Sequence, residues 1–158
     1  MKKDRKVIVE CKPDEILAKA LGLKRNEVVH QPNKGEVCNL LKKTDIQIAI
    51  IDEDPLSASQ PLYLNSFTLV EEIYDVRYLL SKPENKIILV LKPRLEEWIL
   101  KRCKETGVDP KNHHLPMDNK RFKDVINYHL NHFENMLHEL NVKQDAGINY
   151  LKERIRQN

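Results

Sequence analysis

Acids stand where two strand-like runs stop. Ile46-Gln47-Ile48-Ala49-Ile50-Ile51 is largely apolar and β-branched, and it ends in Asp52-Glu53-Asp54-Pro55. Val7-Ile8-Val9 ends in the same way at Glu10. A short run of this kind reads as a buried strand, most often of a parallel sheet. Ligands of open α/β sheets sit beyond the carboxyl ends of such strands. Side chains at i and i+2 of a strand point the same way, so the spacing predicts that Asp52 and Asp54 project together. Two carboxylates about 4 Å apart repel by roughly 4 kcal/mol at an effective dielectric of about 20. A divalent cation relieves that repulsion, and hard oxygen ligands suit Mg²⁺. The plainer reading is that acids follow strands because loops are polar and Asp caps helices.

The elements that must carry these acids alternate. After the strand at 7–11, Ile16, Leu17, Ala20, Leu21 and Leu23 recur at helical spacing, with Pro13 and Asp14 in the first turn. Residues 27–31 read as a second strand. Pro32-Asn33-Lys34-Gly35 is turn chemistry, and Val37, Leu40 and Leu41 mark a second helix. The strand over 46–52 follows. Strand–helix–strand–helix–strand predicts a parallel α/β unit with right-handed crossovers. Residues 55–66 read as a long polar loop, and 67–81 fits either a helix face or a strand near 74–80. Ile87-Ile88-Leu89-Val90-Leu91 is a further strand. Lys92-Pro93-Arg94 then opens a helix with Leu95, Trp98, Ile99 and Cys103 on one face, and this phase marks Trp98 as core. Residues 108–118 connect to a long amphipathic helix predicted over 119–140 and a last one over 143–156. The expected organisation is one domain over 1–158, with a core of about 6–106 and C-terminal helices over about 119–156 packed on it.

Composition narrows the function classes. Charged residues are 32% of the 158, yet 27 basic against 24 acidic residues leave only +3. That balance is too mild to argue nucleic-acid binding by itself. Cys11, Cys38 and Cys103 are distant and odd in number, which predicts neither a zinc site nor a disulfide framework. Free thiols, no signal-peptide pattern at the N-terminus and no long apolar stretch lead to a cytoplasmic protein without membrane contact as the expectation. His129, His132 and His138 lie on the predicted long helix without a carboxylate or cysteine partner, which is weak metal evidence; His129 reads as partly buried and the others as surface.

The acids also carry a resemblance. Val9-Glu10-Cys11-Lys12-Pro13-Asp14-Glu15 resembles the V-E-G-x-x-D start of the Toprim superfamily, whose third strand ends in an Asp-x-Asp like Asp52-Glu53-Asp54. Pro93-Arg94-Leu95-Glu96-Glu97-Trp98 resembles the P-x-F-E-x-W of RloB-like Toprim proteins, relatives of OLD-type nucleases. The similarity covers about residues 6–103. Cys11 stands where the family usually has glycine, and Pro55 where small polar residues are common. The resemblance implies a Toprim-like three-layer α/β fold, a mainly parallel central sheet flanked by helices, and a C-terminal helical extension. It implies Mg²⁺- or Mn²⁺-dependent phosphoryl transfer on DNA or RNA, as a nuclease or nuclease subunit, with a partner such as an ATPase conceivable. In that picture Asp52 and Asp54 hold the metal, and Glu10 is a further ligand or the general acid/base. Glu96 either reaches the same mouth or serves as a favourable charge at a helix start. Lys34 and Lys92 are the candidate phosphate contacts beside the site, and each also reads as an ordinary solvated charge.

Two other readings stand beside the nuclease. One is a non-catalytic binding or assembly module on the same fold. The other is a receiver-like signalling domain, in which Asp52 would accept a phosphoryl group and Leu91-Lys92-Pro93 would form the conserved turn. Only Glu10 follows the first strand, where receivers carry two adjacent acids.

Overall fold

In the computed structural model, which describes residues 5–57 and 60–156, the strand-like runs assemble into one six-stranded mixed sheet. The strands are β1 (Val7–Val9), β2 (Val28–His30), β3 (Ile48–Asp52), β4 (Thr68–Ile73), β5 (Val76–Ser81) and β6 (Lys86–Leu91). Their order across the sheet is β2-β1-β3-β6-β5-β4. The first four neighbours pair in parallel, and β5 and β4 are added antiparallel. The expected strand–helix alternation holds. α1 (Lys12–Ala20) links β1 to β2, and α2 (Lys34–Lys43) links β2 to β3.

Alternation along the strands sorts the core into two faces. Val7, Val9, Ile48, Ile50, Leu89 and Leu91 face one side, where α1, α3 (Leu95–Thr106), α4 (Asn119–Ile126), α5 (Leu130–Val142) and α6 (Ala146–Arg156) pack. Ile8, Ala49, Ile51, Ile88 and Val90 face the other, under Val37 and Leu41 of α2 and the segment carrying Tyr63, Leu64 and Phe67. Phe122, Phe133, Met136, Leu137, Leu140, Ile148 and Leu151 share one buried cluster with Trp98 and the sheet. The C-terminal helices thus complete the larger face of the core. Trp98 is fully buried, as its helical phase predicts, and its Nε1 donates to the Tyr74 carbonyl at 2.7 Å.

The structure departs from the sequence reading in two places. The segment 67–81 is a hairpin, with β4 preceding the predicted strand. Its two-residue turn is Tyr74-Asp75, both left-handed at φ 54° and 55°. Two positive φ values match the primed turns that suit strand twist, and no glycine announces the turn in the sequence. The predicted helix over 119–140 is two helices, because His129 leaves helical geometry at φ −134°, ψ 55°. The apolar spacing from Phe122 through Ile126 to Phe133 runs on across the break, so periodicity alone could not reveal it. His129 is exposed rather than partly buried, and its ring stacks on His132 with centroids 5.1 Å apart.

Phe133 is fully buried and meets the Phe122 ring edge-to-face at 6.1 Å. Phe133→Ala is expected to cost about 3–5 kcal/mol. For a chain of this size that lowers Tm by about 10 °C, read by circular-dichroism melting.

Candidate active site

Four carboxyl groups from separate elements converge at the carboxyl ends of the parallel strands. Glu10 follows β1, Asp14 lies in the first turn of α1, Asp52 closes β3, and Glu96 lies in the first turn of α3. Asp14 is 1% exposed, and Glu96 is also buried. Each helix start holds one of the acids. The Leu95 amide, at the opening of α3, donates to Asp52 Oδ1 at 3.1 Å. The Cys11 amide and thiol, at the opening of α1, donate to Asp14 Oδ2 at 3.3 and 3.0 Å. Helix N-termini favour such negative charge through their unpaired amides and dipole.

These contacts leave part of the site unsatisfied. Asp14 Oδ1 and Glu10 Oε1 are buried and make no hydrogen bond. An unpaired buried polar atom costs about 1–3 kcal/mol, more when charged. The electrostatics agree. Burial pushes the Asp52 carboxyl up, and the charges of Asp14, Glu10 and Glu96 push it further, against the Leu95 hydrogen bond. Burial also raises Asp14, with its Cys11 hydrogen bond opposing and Glu10 and Glu96 adding to the rise. Glu10 is raised by burial, offset by the Lys34 charge and the Asp52 backbone. Glu10, Asp14 and Asp52 share one field, to which the Glu96 charge contributes, and they hold protons that isolated carboxyls would lose.

Asp54 does not follow the expectation. β3 ends at Asp52, and Asp54 sits in a left-handed conformation at φ 45°. The i, i+2 rule applies only while the strand continues, so the two aspartates do not project as a strand pair. Asp54 Oδ1 meets Arg94 Nη2 at 3.1 Å, and Arg94 Nη1 also holds Glu97 Oε1 at 3.0 Å. Asp54 remains at the rim, where its charge raises Glu10. The two candidate lysines also separate. Lys92 is paired with Glu72 and Glu53, so its charge is already met. Lys34 Nζ donates to the Glu53 carbonyl at 2.8 Å and to Gln60 Oε1 at 2.9 Å, both uncharged oxygens.

Asp14 and Arg94 are the site residues that reading the acids as strand ends undervalued. The sequence places Asp14 in the first turn of a helix, and there it closes a capping box with Cys11. Its burial beside three other acids is a tertiary fact. As the side chains stand, among the described residues no three His, Cys, Asp or Glu are grouped so as to hold a metal ion. The donor set still suits a hard cation: all carboxylate, crowded, with two buried oxygens lacking partners. Compared with known protein families, curated proteins and solved structures, the chain matches none.

The raised carboxyls set a pH dependence for the metal-free protein. Their folded pKa values lie above the unfolded ones, so the folded state binds more protons. The associated stability is complete below about pH 4. It is lost as pH rises through the folded values, pushed up to about 7 for Asp14 and about 9 for Asp52. In EDTA, Tm is expected to fall between pH 5 and 9, each group contributing at most about 1.4 kcal/mol per pH unit. Asp52→Asn should flatten that fall; an unchanged slope would remove Asp52 from the coupled set.

Proposed function

We propose that the protein is a divalent-metal-dependent phosphodiesterase acting on nucleic acid, of the Toprim nuclease type. The observation that carries the reading is the buried, mutually repelling set Glu10, Asp14, Asp52 and Glu96, with unpartnered oxygens on Glu10 and Asp14. Such a set is costly to folding unless it has a use, and perturbed carboxyls in a cleft are functional-site candidates. Mg²⁺, when bound, supplies charge stabilisation at phosphate oxygens and eases formation of a nucleophilic hydroxide.

The chain's own residues take separable roles in this reading. Asp52, fixed by the Leu95 amide, and Asp14, fixed by Cys11, would hold the metal. Glu10 lies between them and Lys34. It keeps one unpartnered oxygen for a ligand or for a proton from attacking water. Glu96 adds a fourth carboxylate from α3. Arg94 holds Asp54 at the rim, and releasing that pair would let Asp54 turn inward as a further ligand.

The pairing of Asp54 with Arg94 also favours a second reading, a non-catalytic module on the same fold, because it leaves one arm of the Asp-x-Asp engaged.

Two measurements separate them. Mg²⁺ at about 100 times its dissociation constant should add about 2.7 kcal/mol, raising Tm by several degrees. That rise should vanish in Asp52→Asn. Plasmid nicking or RNA cleavage in Mg²⁺ or Mn²⁺ should drop at least a hundredfold in Asp52→Asn and in Glu10→Gln. Equal cleavage by wild type and Asp52→Asn would end the catalytic assignment.

A further inference from the structure

A cleft of about 690 Å³ opens beside the acids, between the start of α2 and the segment 60–63. The volume falls within the roughly 300–1,000 Å³ usual for small-ligand sites. Its lining includes the acids Glu10 and Asp54, Lys34, Gly35 and Asn39 of α2, and Lys42 beside Tyr63. Tyr63 is held from two sides. Its hydroxyl donates to Glu84 Oε2 at 2.5 Å, and its ring meets Phe67 edge-to-face at 5.1 Å. The exposed side chain of Lys42 reaches over the ring, its Nζ 5.9 Å from the centroid. The amides of Lys34 and Gly35 open α2 and have no intrahelical carbonyl to bond. Gly35 adds no side chain there, although the capping Asn33 Oδ1, which accepts from the Glu36 amide at 2.9 Å, lies beside it.

We propose that this cleft seats one unstacked nucleotide of a single-stranded nucleic acid, its base against Tyr63 and its phosphate on Lys34 and the start of α2. The substrate class rests on the phosphodiesterase reading, which places the scissile phosphate at Glu10 and Asp52; the geometry of the cleft is independent of it. An anchored ring stacks a base without immobilising a loose side chain, and such stacking is tolerant of sequence. Lys42 gives up a weak contact with the ring and meets the next phosphate along the strand. The Lys34 ammonium makes its hydrogen bonds to uncharged oxygens, and its charge, which already acts on Glu10, is shared with an arriving anion. A paired, stacked base presents no free face to Tyr63, so the site selects unpaired strands.

The test is fluorescence anisotropy with labelled oligothymidylate and oligouridylate of about a dozen nucleotides, with Ca²⁺ replacing Mg²⁺. An abasic backbone of equal length and a blunt duplex are the comparisons. Wild type should bind the single strands at least tenfold more tightly than either comparison. Tyr63→Leu should lose about tenfold, Tyr63→Phe, which keeps the ring but not its Glu84 anchor, should lose clearly less, and Lys42→Glu should lose affinity and lower the salt dependence. Equal binding of abasic, duplex and single strands, or wild-type affinity in Tyr63→Leu, overturns the subsite. If that occurs while nicking still depends on Asp52, the subsite alone falls. Ring-dependent binding with no Asp52-dependent cleavage instead overturns the phosphodiesterase reading alone.

Discussion

Crowding of carboxyl groups at one rim of the sheet is the constraint around which the rest is arranged. Each pair at contact distance repels by a few kcal/mol at the dielectric of a protein surface, and burial adds to the cost. The fold meets part of that cost with backbone dipoles. The opening of α1 takes Asp14, and the opening of α3 takes Asp52. The Asp52–Leu95 bond ties β3 to α3, and Cys11–Asp14 fixes the turn from β1 into α1. The acids and the elements that carry them therefore position one another.

The two faces of the sheet serve the site differently. On the larger face, α3 through α6 lock β6 and the start of α3 around Trp98 and the two phenylalanines. That packing makes the Leu95 amide a fixed donor. On the smaller face α2 is the main helical cover, and the segment 60–67 completes the covering from the side. The incomplete cover leaves the cleft along α2, with Lys34 bridging its two walls. At the far edge, β4 carries a register shift between Leu69 and Glu71, and Glu71 and Glu72 are charged. Bulges and charges of this kind discourage a sheet edge from pairing with another chain.

Arg94 and Lys34 divide the positive charge near the acids. Arg94 is committed to Asp54 and Glu97, so it neutralises the rim. Lys34 lowers the proton affinity of Glu10 from the other side. Lys92, equally close in sequence to the site, faces Glu72 and Glu53 instead. Proximity along the chain did not tell these three cations apart; their partners on β4, on α3 and in the segment after β3 did.

Much of this was legible in the sequence. The β-branched runs ending in Glu10 and Asp52 fixed the parallel strands and the rim at which those acids meet, because strand sterics and alternation are local. The Pro93 helix start, the phase of Trp98 and the cap at Asp14 are local as well. What only tertiary structure decided depends on contacts distant in the chain. Asp54 lies past the end of β3 and pairs with Arg94, and β4 is a strand paired along β5. The helix break at His129 leaves no mark in an apolar spacing that runs through it. The burial of Asp14 follows from neighbours that no stretch around residue 14 contains. Local sterics set which residues form strands and helices; long-range packing and charge pairing set which acids end up buried and unmet.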